Sequence, residues 1–178
     1  MKRIFALIVP LIALIAIGYK GYNIYDVGRQ NDKTDISNTI VRQTNEIIDI
    51  VDTFNNLFMG IVNNEFENEA MTQTTAMFFV EAASKRLREK TQSARDHLGR
   101  IEGRDNPELD SYVTNAETLL DGYDDHATSY DKVYDLLSTA AGGYEVYGHD
   151  VAGFLNATYE KIDGLSINFD TARAAYLE

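Results

Sequence analysis

Three histidines and a cluster of aspartates are the side chains here with the most obvious metal or acid–base chemistry to offer. They are His97, His126 and His149, with Asp121, Asp124, Asp125, Asp131 and Asp135 around the second. A carboxylate-bridged metal bundle needs Glu-x-x-His on two helices and a glutamate from each of two others. None of the three histidines has a glutamate three residues before it, although Glu145 stands four before His149. A solvated or helix-capping histidine is the simpler reading of each. The aspartates, with Gly122 among them, suggest calcium, but a calcium loop converges its oxygens on a turn with glycine at the tightest point. Here the aspartates fall in helical register and point several ways, as a charged solvent face would. No metal and no cofactor is expected.

Nucleophilic chemistry has no better footing. The chain lacks cysteine, and no serine sits in a Gly-x-Ser-x-Gly elbow. No phosphate-cradling glycine loop or nucleotide fingerprint occurs either. The expectation is a protein that is not an enzyme.

Tyrosine is the conspicuous residue, at eleven in 178. Tyr123, Tyr130, Tyr134 and Tyr147 fall at helical seam positions. A seam tyrosine supplies apolar area but keeps a hydroxyl that needs a partner, which suits a slim bundle. The functional alternative is that these four form an aromatic interaction or ligand surface.

Charge is uneven. The chain carries a net charge of −12, and residues 105–178 account for all of it, with Lys132, Lys161 and Arg173 as their only basic residues. Nucleic acid is therefore an unsuitable partner. One stretch runs the other way: Lys85, Arg86, Arg88, Lys90 and Arg95 cluster before Arg104. They read either as a solvated helix face near the acidic segments or as a basic docking patch.

Four periodic stretches must position these residues. The first reads Ile36, Ile40, Thr44, Ile47, Val51, Phe54, Phe58 and Ile61, in steps of three and four. The second reads Val80, Ala83, Leu87, Thr91, Ala94, Leu98 and Ile101. The connector Gly103–Pro107 follows, where Asn106 before Pro107 and Glu108 predicts an N-cap, a proline at the first helical position and an acidic first turn. The third stretch is the cleanest: Leu109, Val113, Ala116, Leu120, Tyr123, Ala127, Tyr130, Tyr134, Leu137 and Ala141. Gly142 and Gly143 break it. The fourth runs Tyr147, Val151, Phe154, Thr158, Ile162, Leu165, Phe169, Ala172 and Tyr176, with Gly148, Gly153 and Gly164 each weakening it by up to about 1 kcal/mol relative to alanine. Short connectors force neighbouring helices to run antiparallel.

Ahead of these stretches, Lys2 and Arg3 precede an uncharged segment from Ile4 to Gly18. At about 1.5 Å per residue it spans roughly 22 Å, against a hydrocarbon core of roughly 30 Å. Lys20 can snorkel, and tyrosines at 19, 22 and 25 suit the headgroup zone. Ile4, Phe5, Leu7, Ile8, Leu11, Ile12, Leu14, Ile15 and Tyr19 are then the anchor residues. Cleavage after the small residues Ala16 or Gly18 is the alternative.

The expectation is thus an all-α chain: an N-terminal membrane helix over 1–27, then an elongated antiparallel helical bundle of three or four long helices over 28–178. Its place would be the inner or cytoplasmic membrane, single-pass, with the C-terminal domain outside the cytoplasm. Its function would be that of a membrane-anchored, extracytoplasmic interaction or scaffold protein. Its partners would be the lipid bilayer, through the N-terminal helix, and a protein or a second copy of itself. The alternative is an extracytoplasmic ligand-sensing or binding bundle, which requires a cavity between helices beside the seam tyrosines.

Overall fold

A computed structural model describes residues 30, 32–56, 73–139 and 148–178. Four helices account for nearly all of them: α1 over 32–56, α2 at Gln73–Leu98, α3 at Pro107–Thr139 and α4 at Gly148–Leu177. The periodic seams become the core. Ile40, Ile47 and Val51 of α1 meet Val80, Ala83, Leu87, Ala94 and Leu98 of α2 in one apolar cluster with Leu120, Tyr123, Ala127 and Tyr130 of α3. From α4, Val151, Leu155, Ile162, Phe169 and Tyr176 close it.

Cross-helix bonds fix the packing order. Ser84 of α2 bonds to Asp131 of α3 while Arg95 bonds to Asp121, so α2 and α3 run antiparallel. Tyr112 of α3 stacks on Tyr176 of α4 and His126 bonds to Thr158, which makes that pair antiparallel too. On α1, Ser37 accepts from Arg173 and Asp52 accepts from Tyr159, which sets α1 antiparallel to α4. Lys90 of α2 reaches Glu46 of α1. The result is an up-down-up-down bundle in which α1 lies between α2 and α4, diagonal to α3.

The start of α3 follows from its sequence. Asn106 Oδ1 accepts from the Leu109 backbone N–H at 2.9 Å, and Pro107 begins the helix where no N–H is needed. Gly103 sits in the connector at φ +80°, a conformation that a side chain would strain. Gly122 has a different task. A Cβ there would lie 2.8 Å from Leu165 Cδ1, so its missing side chain sets the approach of α3 to α4.

α3 is buried over a wider arc than one seam provides. Besides the expected positions, Tyr112, Leu119, Gly122, His126, Ser129 and Val133 are buried. A helix flanked by partners on two sides needs both stripes covered.

The N-terminal membrane helix is corrected. Among the described residues no helix is long and apolar enough to cross a membrane. The physical reason is charge spacing: the longest uncharged run in the described helices is 151–159, well short of the roughly 20 residues a span requires. The expected anchor residues, Ile4 to Tyr19, lie outside the described residues. The fold class is therefore an all-α four-helix bundle, and the bilayer as partner and the single-pass location, with the C-terminal domain outside the cytoplasm, are withdrawn with the span.

Candidate functional site

The basic cluster on α2 is largely committed to holding α3. Arg95 donates to Asp124 at 2.6 Å and Asp121 at 2.7 Å; Arg88 donates to Asp131 at 2.5 Å and to Thr128 at 3.3 Å. Between them, the buried Thr91 hydroxyl donates to Asp124 at 2.6 Å, and Ser84 donates to Asp131 at 2.5 Å. Burial works against the charge on Arg95, but its two carboxylates outweigh that and raise its pKa. Lys90 turns to the other side and pairs with Glu46 at 2.7 Å, whose pKa its hydrogen bond lowers. Lys85 and Arg86 are exposed, and Arg86 overlooks a cleft of about 280 Å³ between α1 and α2 with Asp49, Ile50 and Phe54. The acidic run thus does much of its work within the molecule, as the counter-charge to α2.

The opposite side of α3 carries a different arrangement. His126 is fully buried. Its Nδ1 lies 2.7 Å from Thr158 Oγ1 on α4, and its ring meets those of Tyr130 and Tyr159 edge-on at 4.9 and 6.3 Å. Nε2 has no hydrogen-bond partner among the described residues. Thr158 Oγ1 also lies within donating reach of the Leu155 carbonyl, at 3.1 Å, one turn back in its own helix. If its single proton goes there, it accepts from His126 Nδ1–H and leaves Nε2 as an unfilled acceptor. The reverse tautomer would orphan a buried N–H, the costlier outcome, so the first assignment is preferred. Burial with no carboxylate partner drives the histidine down to about 4, which keeps it neutral.

Around this histidine the tyrosines divide. Tyr123 and Tyr130 are fully packed in the core, and burial raises both hydroxyls, with Tyr159 and Asp52 adding to the effect. Tyr130 donates to Asn55 Oδ1 on α1 at 3.1 Å. Tyr134 is half-buried against the core, and Tyr147 lies outside the described residues. Of the three expected tyrosines that are described, Tyr123 lines a cleft between α1 and α4 and Tyr130 is packed in the core. Tyr159, which falls beside the α4 seam, is the one placed at an opening: it is 40 % exposed and donates to Asp52 Oδ1 at 3.2 Å. Its phenol is raised by burial and then by the Asp52 and Asp163 charges.

Two clefts open between α1 and α4, and Asp52 and Tyr159 line both. One, of about 240 Å³, adds Asn55, Asn56, Leu155 and Asn156. The other, of about 140 Å³, has Ile48, Val51, Tyr123 and Ile162 for apolar wall and Asp163 and Ser166 at its polar edge. Sequence reasoning missed Asp52, Asn55 and Tyr159 because each lies next to a seam position rather than on it. The available signal was the pairing of Asp52 and Asn55 one turn apart on the flank of α1. Among the described residues no group of three His, Asp or Glu side chains is placed to hold a metal ion.

Compared with family models, with curated proteins and with solved structures, the chain finds no match.

Proposed function

We propose that this chain is a non-enzymatic binding bundle that takes a small ligand in the cleft between α1 and α4. The observation that carries the reading is the pair of adjoining clefts that share Asp52 and Tyr159. The smaller combines an apolar wall with a few directed polar groups, the usual composition of a small-ligand site. Tyr159, which lines both clefts, meets the ring of the buried His126 edge-on. The α2–α3 face, by contrast, has its charges already paired.

A ¹⁵N-edited NMR screen of the chain against a fragment set of amines, carboxylates and neutral aromatics tests this. Binders should shift amides in 48–56 and 155–166, and Tyr159→Ala should weaken them. Shifts confined to α2–α3, or no binder in the set at millimolar concentration, would overturn the reading.

Protein partnering is the second reading, favoured by Phe78, which is 67 % exposed beside Phe79, and by Ile167, exposed to the same degree. Sedimentation of wild type against Phe78→Ser checks self-association.

A further inference from the structure

We propose that the ligand of the α1–α4 cleft is an organic cation: a primary ammonium on a short apolar or aromatic body. This rests on the cleft reading above and adds the chemical class. In the smaller of the two clefts the polar groups on offer are mainly acceptors. Asp52 from α1 and Asp163 from α4 bring two carboxylates to one cleft from opposite walls, and no Lys or Arg lines either cleft among the described residues. Tyr159 has its proton committed to Asp52, so what it offers a ligand is its half-exposed ring and its oxygen lone pairs. An aromatic face beside carboxylates favours a cation over a neutral or anionic group.

Charge complementarity points the same way. An anion would face the two carboxylates with only asparagine amides and Ser166 in compensation.

A metal ion fits less well than an organic cation. Two exposed carboxylates on separate helices supply too few oxygens, and no third carboxylate or histidine joins them among the described residues. The body of the ligand has its own wall, since Ile48, Val51, Tyr123 and Ile162 line the cleft that holds both carboxylates. Its volume, about 140 Å³, suits a group of one ring or a short chain rather than a polymer.

Three near-isosteric probes separate charge from shape: phenethylamine, phenethyl alcohol and phenylacetate, each titrated into the intact chain near neutral pH and followed by amide NMR. The amine should bind with shifts in 48–56 and 155–166, the alcohol about tenfold more weakly or worse, and phenylacetate not measurably. Asp52→Asn should weaken the amine by about tenfold and leave the alcohol unchanged. Asp163→Asn provides the same reading should the first variant lose its helical circular dichroism. Added salt should weaken the amine alone.

Equal binding of amine and alcohol in the cleft, or amine binding indifferent to both aspartate variants, would overturn the cationic assignment while leaving the cleft as the binding place. Amine shifts confined to the α1–α2 cleft around Asp49 and Arg86, or no amine binding at millimolar concentration, would overturn it as well. The fragment screen then decides separately whether the α1–α4 cleft binds anything.

Discussion

The two flanks of α3 solve the same packing problem with opposite chemistry. Toward α2, two arginines, a threonine and a serine lock onto three aspartates over about three turns, and both buried hydroxyls, Ser84 and Thr91, find a carboxylate. Toward α4, a neutral buried histidine and buried Ser129 meet a half-buried threonine, with one nitrogen unpaired and clefts alongside. One interface is saturated and registers the helices. The other is incompletely satisfied at its centre, and the clefts open on its α1 side. A seam with every donor and acceptor matched has little left to offer a partner.

The sharpest way to break this contrast is to remove Asp124. It receives the Thr91 hydroxyl and the Arg95 guanidinium together, and the Arg95 side chain is 28 % exposed. Asp124→Ala should cost about 2–3 kcal/mol in chemical denaturation, because a charge-assisted bond is lost and a partly buried guanidinium keeps only Asp121. Asp131→Ala, whose pair with Arg88 is about half exposed, should cost less, roughly 1 kcal/mol.

Acid should next single out the α4 flank. His126 in the folded chain is held down to about 4, against about 6.5 when unfolded. Between those values the unfolded chain binds the extra proton. The stabilisation is therefore complete above pH 6.5 and declines as pH falls toward 4. By pH 5 the loss should be about 2 kcal/mol, before most ordinary carboxylates titrate. His126→Phe should flatten the stability profile between pH 6.5 and 5. An unchanged slope would show that the ring takes up its proton without disturbing the core.

Much of this architecture is legible in the sequence, and the omissions have a common cause. The seam of α1 from Ile40 to Val51 and that of α2 from Val80 to Leu98 are buried as their periodicity predicts. Asn106 caps α3 where the Asn-Pro-Glu pattern places it. What periodicity does not reveal is the middle of the second buried stripe of α3, because Gly122, His126 and Ser129, unlike Leu119 and Val133, are not large apolar residues. Gly122 is there for close approach, and His126 and Ser129 belong to a polar node made with α4. The cleft is illegible for a similar reason: Asp52 and Tyr159 stand more than a hundred residues apart, and only the antiparallel pairing of α1 with α4 joins them. The basic patch was visible as charge, but its counter-ions could be assigned only once α2 and α3 were in register.

Smaller effects sharpen the comparison from the backbone side. Gly153 and Gly164 are exposed on α4, and a Cβ at either would meet nothing within 4 Å. Each change to alanine should stabilise the bundle by about 0.5–1 kcal/mol through helix propensity. Gly122→Ala has the same propensity gain but places its Cβ 2.8 Å from a leucine methyl. That methyl ends a flexible side chain, so rotation of Leu165 should absorb most of the contact and leave a net change near zero. Gly122→Val adds β-branched bulk at the same approach and should destabilise by about 1–3 kcal/mol. Thermal melts of the four variants would separate backbone preference from interhelical spacing.

The smallest expected effect is the most telling. Asp52 bonds Tyr159 across the α1–α4 seam much as Asp131 bonds Arg88 across the α2–α3 seam. Yet Asp52 is exposed, its partner is neutral, and the phenol it accepts from is 40 % exposed and can turn to water. Asp52→Ala should therefore change stability by no more than about 0.5 kcal/mol. Tyr159→Phe should behave alike, and the double variant should equal the sum of the two, since a weak pair leaves little coupling. A loss above 1 kcal/mol, or strong coupling in the cycle, would make this bond a structural fastening like those of Asp124. It would also remove the reason for treating the seam as a place kept open for something else.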